Sequence, residues 1–313
     1  MIVTVTLNPS LDRAIEVERL VRGDVIRANT AGLDPGGKGV NVSRALLANG
    51  VPSCAVLPSG MDEGDQLVGL LRAEGVDVRA VPIAGRTRSN ITLAEPDGTV
   101  TKINEPGPAL SAAEFAAITD EVLAMTGAAD WVVVCGSVPP DLPAYAFDRL
   151  CQRLVAADVR LAVDTSGPAL AMAARAGAAL VKPNRDELAE VVEAPLRSLG
   201  DVVSAAQRLR SWGAGAVLAS LGADGAVLVD IDGVITGESP VARPRSAVGA
   251  GDALLAGFLA AGAKGSGALA EGLAWGAAAV RLPGSQMPGP ADLVRDQVRI
   301  HSHPDSVRLL LNE

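Results

Sequence analysis

Two rhythms of apolar and polar positions run along the chain. The first is the short β-branched or apolar run of a strand buried on both faces. Residues 2–7 (IVTVTL) open the chain this way. WVVVCG (131–136), RLAVDTS (160–166), ALVKPN (179–184), AVLASLG (216–222) and AVLVDIDG (226–233) repeat it. Helical-period segments fall between most of them, at 43–49, 63–74, 111–125, 143–157, 167–175, 185–193 and 201–212. The second rhythm is alternation. RAIEVERL (13–20) and DVIRANTAGL (24–33) flank Arg22-Gly23-Asp24, and SNITLAE (89–95) and TVTKINE (99–105) flank Pro96-Asp97-Gly98. Alternation about a turn predicts half-exposed hairpins. The two pairs are therefore expected to form one small sheet standing apart from the main body.

A strand–helix–strand rhythm predicts a doubly wound, mostly parallel sheet with helices on both faces, and ligands at the carboxyl ends of its strands. The expected organisation is an α/β core from residues 1–11, 35–86 and 106–313 and a discontinuous small β sheet from 12–34 and 87–105. A length of 313 residues suits one large domain with a small second one.

Composition sharpens this reading. Aromatic residues make up only 2% of the chain, so the core must be packed with Ala, Val and Leu. The net charge of -9 removes a global basic field, so no nucleic-acid partner is expected. The first residues lack a charged segment followed by an apolar one, and the apolar stretch near 253–280 is broken by Gly, Lys, Ser and Glu. Neither a secretion signal nor a membrane span is read. Cys54, Cys135 and Cys151 show no metal spacing and are read as reduced core thiols, which fits a cytoplasmic location. His301 and His303 are read as solvated.

The chemistry gathers where glycine-rich turns meet helices. In SAVGAGDALLAGF (246–258), small residues lead to Asp252 and then to an apolar helix. The amides of a first helical turn are free and the dipole is positive there, so the Val248–Asp252 stretch reads either as a plain helix start or as an anion-binding turn. Asp252 reads either as an ordinary N-terminal acid or as the base that takes a proton from an attacking hydroxyl in phosphoryl transfer. PGGKGVNVSRAL (35–46) is a second such turn. Gly37 gives close approach, Lys38 is a point charge and Asn41 bonds hydroxyls both ways, with a helix starting near Val40 or Asn41. It is not a Walker A loop. In KPNRDEL (182–188), Asn184 and Glu187 form either a capping box or an outer-shell Mg²⁺ site. SLGADG (220–225) is a plain turn or a nucleotide-facing loop. Asp12 follows the first strand, Ser137 follows another, and Arg88 offers a bidentate fork for phosphate or is a solvated charge, as Lys102 is.

NPSLD, GGKGVNVSRAL, TRSN, INEPGP, GSVPP, VDTSG, KPNRDE, SLGADG and VGAGD occur in the order found in the phosphofructokinase B group of ribokinase-like carbohydrate kinases, and the chain resembles that family along most of its length. NPSLD and INEPGP look like the branch that acts on sugar phosphates, 1-phosphofructokinase and tagatose-6-phosphate kinase. The resemblance implies a three-layer α/β/α core with a β lid, and pairing of lids into a homodimer. It implies Asp252 as catalytic base with Gly249, Ala250 and Gly251 as the anion hole. Sugar-phosphate contacts fall on Asp12, Gly37, Lys38, Asn41, Arg88, Ser137 and Arg27, the last acting from the lid, in some cases across the dimer. Nucleotide contacts fall on Ser220, Gly222, Gly225 and Gly251, and Asn184 and Glu187 serve Mg²⁺ through water. ATP and Mg²⁺ are the implied cofactors. The expected reaction is fructose 1-phosphate plus ATP giving fructose 1,6-bisphosphate plus ADP, with tagatose 6-phosphate or fructose 6-phosphate as alternative acceptors. Ala247 and Ala253 stand where the family has Thr and often Ser, which removes two hydroxyls near the nucleotide. No role is assigned after Leu282. A non-catalytic sugar-phosphate sensor on the same fold is the competing class. A dinucleotide oxidoreductase lacks its G-x-G-x-x-G fingerprint after the first strand.

Overall fold

A computed structural model describes residues 1–97 and 99–311. In chain order the elements are β1 (Ile2–Thr6), β2 (Ser10–Val17), β3 (Ala28–Gly36), α1 (Lys38–Ala48), β4 (Ser53–Ser59), α2 (Met61–Glu74), β5 (Asp77–Pro82), β6 (Arg88–Ala94), β7 (Val100–Asn104), α3 (Ala112–Met125), β8 (Trp131–Cys135), α4 (Ala144–Ala156), β9 (Arg160–Asp164), α5 (Pro168–Arg175), β10 (Leu180–Val181), α6 (Arg185–Val192), α7 (Leu199–Trp212), β11 (Ala216–Ser220), β12 (Ala226–Asp230), β13 (Gly233–Glu238), α8 (Ala250–Ala260), α9 (Gly265–Arg281) and β14 (Arg299–His301).

The main sheet runs β14-β13-β12-β11-β10-β9-β8-β1-β4-β5. It is parallel from β11 to β5 and antiparallel from β11 to β14. The period of two along each central strand divides the core. Val3, Val5, Val132 and Val134 pack with α3 to α7 on one face, while Ile2, Trp131, Val133 and Cys135 pack with α1, α8 and α9 on the other. A third cluster joins Leu67 and Leu71 of α2 to β4, β5 and Val40. Glycines let α8 and α9 touch closely: a Cβ on Gly272 would stand 2.7 Å from the Leu254 carbonyl. The three cysteines are free and buried.

The strand order reverses at β1, which lies between β4 and β8. The crevice beyond the carboxyl ends of β1 and β8 is therefore the place where a doubly wound sheet takes a ligand. The small sheet, ordered β3-β2-β6-β7, takes β2 and β3 from the chain leaving β1 and β6 and β7 from the chain leaving β5.

Several elements differ from the sequence expectation. The two alternating pairs do form one separate sheet, but its central pair β2–β6 is parallel, so it is not a plain meander. β2 starts at Ser10 and stops at Val17, and a ten-residue connection holds the Arg22-Gly23-Asp24 turn (Asp24 N–H to Val21 O, 3.3 Å) instead of a tight hairpin. The second pair does close tightly, with Glu95 N–H on Thr99 O at 2.9 Å; Gly98 of its expected turn lies outside the described residues. α1 begins at Lys38, two or three residues early, because Gly37 at φ 120° supplies the cap. β10 is only two residues long, because Pro183 has no N–H for the ladder. The AVLVDIDG run ends at Asp230, whose carboxylate accepts from Asp232 N–H (2.8 Å) and turns the chain into β13. β4, β5, β13, β14 and α9 were not separated as elements by the sequence pattern.

Candidate active site

Two helices begin at the crevice with glycine caps and no side-chain cap. Gly37 caps α1 and Gly249, at φ 76°, caps α8. Glycine is required at both. Both have positive φ, which a side chain strains, and a Cβ on Gly37 would also stand 2.8 Å from Thr6 Cγ2. The first turn of α8 carries Ala250, Gly251 and Asp252; an α-helix leaves its first amides without intrahelical partners, and here Ala250 N–H makes one long bond to Ala247 O (3.4 Å).

Asp252 is buried, 6% exposed, and its Oδ2 accepts from Asn41 Nδ2 of α1 at 2.8 Å. Burial pushes its carboxyl up, and the nearby charge of Asp164 adds to the effect, to about 6. Asp164, at the end of β9, has no exposed surface and bridges two ammonium groups. Lys38 Nζ donates to its Oδ1 at 2.7 Å and Lys182 Nζ stands 2.9 Å from its Oδ2. Burial alone would raise the Asp164 carboxyl, but Lys182 and Lys38 more than offset this and hold it below its ordinary value. Lys38 also donates to Glu187 Oε1 at 3.0 Å. Burial pulls the Lys38 ammonium down, and the two carboxylates overcome this and hold it above the ordinary lysine value. A Cβ on Gly251 would stand 3.4 Å from Lys182 Nζ, so that ammonium lies beside the first turn of α8.

Asn184 and Glu187 make a reciprocal capping box on α6: Glu187 N–H donates to Asn184 Oδ1 and Asn184 N–H to Glu187 Oε2, both at 2.8 Å. The capping alternative is thus realised, while Glu187 Oε1 faces Lys38. Among the described residues no three His, Cys, Asp or Glu side chains form a metal-binding group. Ser220, at the end of β11, pairs with Asn184 through its N–H to Pro183 O (3.0 Å). The turn after it closes with Leu221 N–H on Gly225 O at 2.8 Å, using positive φ at Gly222 and Gly225.

On the other side of the crevice, Asp12 Oδ1 accepts from Ser10 Oγ (2.6 Å) and Asn90 Nδ2 (2.9 Å), which orients the carboxylate across β2 and β6. Arg88 donates to the carbonyls of Asn8 (3.2 Å) and Glu105 (3.1 Å). Asn8 Nδ2 ties Pro106 O (2.9 Å) to Ser137 Oγ (3.1 Å), joining the ends of β1 and β8 at the reversal point. The buried Oδ1 atoms of Asn8, Asn41 and Asn90 have no protein partner. Three orphaned acceptors suit a ligand rich in hydroxyl donors.

The structure gathers Lys38, Asn41, Asn184, Glu187 and Gly249–Asp252 around Asp164 and Lys182. It gathers Asp12, Arg88 and Ser137 around Asn8, Ser10 and Asn90. Arg27 is not among them; it is exposed in the connection before β3. Asp164, Lys182, Asn8, Ser10 and Asn90 carried no assigned role in the sequence reading. The available signal was a single charge ending an apolar run, LAVD for Asp164 and ALVK for Lys182.

A family model described as pfkB family carbohydrate kinase matches residues 5–292. The chain belongs to the pfkB family of carbohydrate kinases. It is a phosphotransferase acting on a sugar. It is 35% identical over 260 residues to the 1-phosphofructokinase of Bacillus subtilis (strain 168), covering 83% of this chain and 85% of that one. The crystal structure of phosphofructokinase-2 from Escherichia coli in complex with fructose-6-phosphate superposes with a TM-score of 0.86 at 33% identity, over 93% of this chain and 96% of that one. The Arabidopsis thaliana ribokinase complexed with ribose and ATP shares the fold at 22% identity and a TM-score of 0.74, over 93% and 96% of the chains. The kinase is thus ribokinase-like in fold, and its family implies ATP as phosphoryl donor. Among the described residues no helix is long and apolar enough to cross a membrane.

Because the Asp252 carboxyl is held at about 6, above its ordinary 3.8, the folded kinase binds this proton more tightly than the unfolded chain. Stability contributed by the protonated form is lost as pH rises through about 6. Urea unfolding of Asp252→Asn is therefore expected to show a gain in stability over wild type at pH 7.5 that disappears near pH 4. A variant less stable than wild type at pH 7.5 would contradict this.

Proposed function

We propose that the kinase transfers the γ-phosphoryl group of ATP to the free primary hydroxyl of fructose 1-phosphate, giving fructose 1,6-bisphosphate and ADP. The observation that carries the phosphoryl transfer is Asp252: a buried carboxylate, oriented by Asn41 and held at about 6, in the first turn of a helix with a bare glycine cap; the choice of acceptor is supported by the likeness to 1-phosphofructokinases. Its Oδ atoms take the proton as the hydroxyl oxygen attacks γ-phosphorus and the bond to ADP breaks. The amides of Gly249, Ala250 and Gly251 and the Lys182 ammonium face charge developing on the transferred group. Asp12, Gly37, Asn41 and the orphaned asparagine oxygens bind the sugar hydroxyls. Arg88 and Ser137 take the existing phosphate; Lys38, held by Asp164 and Glu187, and Arg27, exposed in the connection before β3, lie outside that pair. Ser220, Gly222 and Gly225 hold the nucleotide.

The residues fit a magnesium ion held through water. Asn184 and Glu187, oxygen-bearing side chains at the exposed start of α6, are the residues that would hold it through water. A magnesium ion held there would neutralise nucleotide phosphate charge.

The small sheet acts in this reading as a lid that keeps water from the transferred group. Val100 and Ile103, on opposite faces of the edge strand β7, are exposed at 53% and 55%, which suits that edge to pairing with a second copy of the same sheet in a homodimer. Sedimentation velocity is expected to find a dimer for wild type and a monomer for Ile103→Glu; a wild-type monomer removes the pairing.

In a coupled ADP-release assay with ATP and Mg²⁺, kcat/KM is expected to be highest for fructose 1-phosphate among fructose 1-phosphate, fructose 6-phosphate, tagatose 6-phosphate and fructose. A preference for a 6-phosphate moves the substrate and keeps the chemistry. Binding without turnover of any of them favours the sensor class. With the preferred substrate, activity should rise with pH through about 6 as Asp252 loses its proton. Asp252→Asn should lower kcat by about 10²–10⁴ while both ligands still bind; near-normal turnover would remove Asp252 as the base.

A further inference from the structure

The Ser220–Gly225 turn is braced from behind by a segment some eighty residues further along the chain. Beyond β14 the chain turns at Asp305, whose carboxylate accepts from Val307 N–H (3.2 Å) and whose carbonyl accepts from Arg308 N–H (3.1 Å). It then runs along the start of α7. Gly200 N–H donates to Ser306 O and Leu199 N–H to Arg308 O, both at 2.9 Å, and Leu310 N–H donates to Arg197 O at 3.0 Å. Leu310 is buried in the core beneath these bonds, so the segment is anchored at both the backbone and a side chain.

From this anchored run Arg308 reaches the turn. Its Nη2 donates to the Asp224 carbonyl at 3.0 Å and stands 3.8 Å from Asp224 Oδ1, and its Nη1 donates to Glu238 Oε2 at 3.3 Å. Leu311 N–H donates to Asp224 Oδ2 at 2.7 Å. The Asp224 side chain is only 10% exposed, so both its oxygens are turned to this segment and away from solvent. β13 closes the opposite side, where a Cβ on Gly225 would collide with the Gly237 carbonyl.

A carboxylate inside a turn that receives a polyphosphate repels it unless a cation offsets the charge. Arg308 supplies that cation and, with Leu311 N–H, fixes the turn's backbone. We infer that residues 304–311 form a strap that holds the Ser220–Gly225 turn in its ligand-binding shape, with Arg308 as its positioning residue, so that nucleotide affinity depends on the strap while sugar-phosphate affinity does not. This rests on the reading of that turn as the nucleotide loop.

The test measures ADP binding in the presence of Mg²⁺ by calorimetry, together with hydrogen exchange of the 221–225 amides with and without ADP. Wild type should show those amides protected by ADP. Arg308→Met should weaken ADP about five- to twentyfold, as loss of charge-assisted bonds that preorganise a site does. Binding of the hexose phosphate that the kinase turns over best should stay within about twofold, the scatter of a site left untouched. Arg308→Lys should recover part of the loss, and Asp224→Asn added to Arg308→Met should recover part by removing the uncompensated charge. If Arg308→Met does not fold, Leu311→Pro deletes the amide donor without changing any charge and is read the same way. Protection in wild type with unchanged ADP affinity in these variants overturns the strap alone, as does equal weakening of both ligands. No protection of the wild-type turn overturns the nucleotide-loop reading and the strap with it.

Discussion

One buried carboxylate organises the crevice. Asp164 has no exposed surface, and an isolated ion there would cost several kcal/mol. It is kept ionised by Lys38 from α1 and Lys182 from the end of β10, and Lys38 brings in Glu187 from α6. Four charges from four places in the chain therefore balance one another, two of each sign. Asp252 is the fifth and has no cation of its own; it holds only the Asn41 amide. Burial first, and the Asp164 charge second, are why its proton is held more tightly than an ordinary aspartate's.

Bare glycine caps do not by themselves mark a site, since α2 and α5 begin on glycine without side-chain caps as well. α1 and α8 are set apart by a buried polar side chain in the first turn, Asn41 in one and Asp252 in the other, bonded to each other across the crevice. The capping box on α6 shows the same economy from the other side: Asn184 and Glu187 fix each other's backbone and leave one carboxylate oxygen for Lys38. A single local motif thus serves both helix stability and the electrostatics of the site.

Much of the core was legible in the chain because its signals are local. β1, β8, β9 and β11 are apolar runs, and α2, α3, α4, α5, α6 and α7 have helical period within a few residues of their bounds. Asp252, Asn41 and the glycines around them were legible because a glycine turn before an apolar helix has few uses. The exceptions are instructive. The parallel β2–β6 pair joins strands separated by some seventy residues, and alternation within each strand carries no information about the partner's direction. Lys38 was read as a loop charge for the substrate, yet its ion pairs are with Asp164 and Glu187, which lie 126 and 149 residues away in the chain.

The sequence alone determined the layer architecture, the separate small sheet and the glycine-flanked acid at a helix start, because period, turn chemistry and capping act over a handful of neighbouring residues. Only the tertiary structure decided which side chains share a charge network, how Asp12 is aimed by Ser10 and Asn90, and that Arg308 and Leu311 bond to Asp224 of the Ser220–Gly225 turn. Those are consequences of strand order: the reversal at β1 and the addition of β14 to β13 bring distant ends to one edge, and no local pattern encodes that meeting.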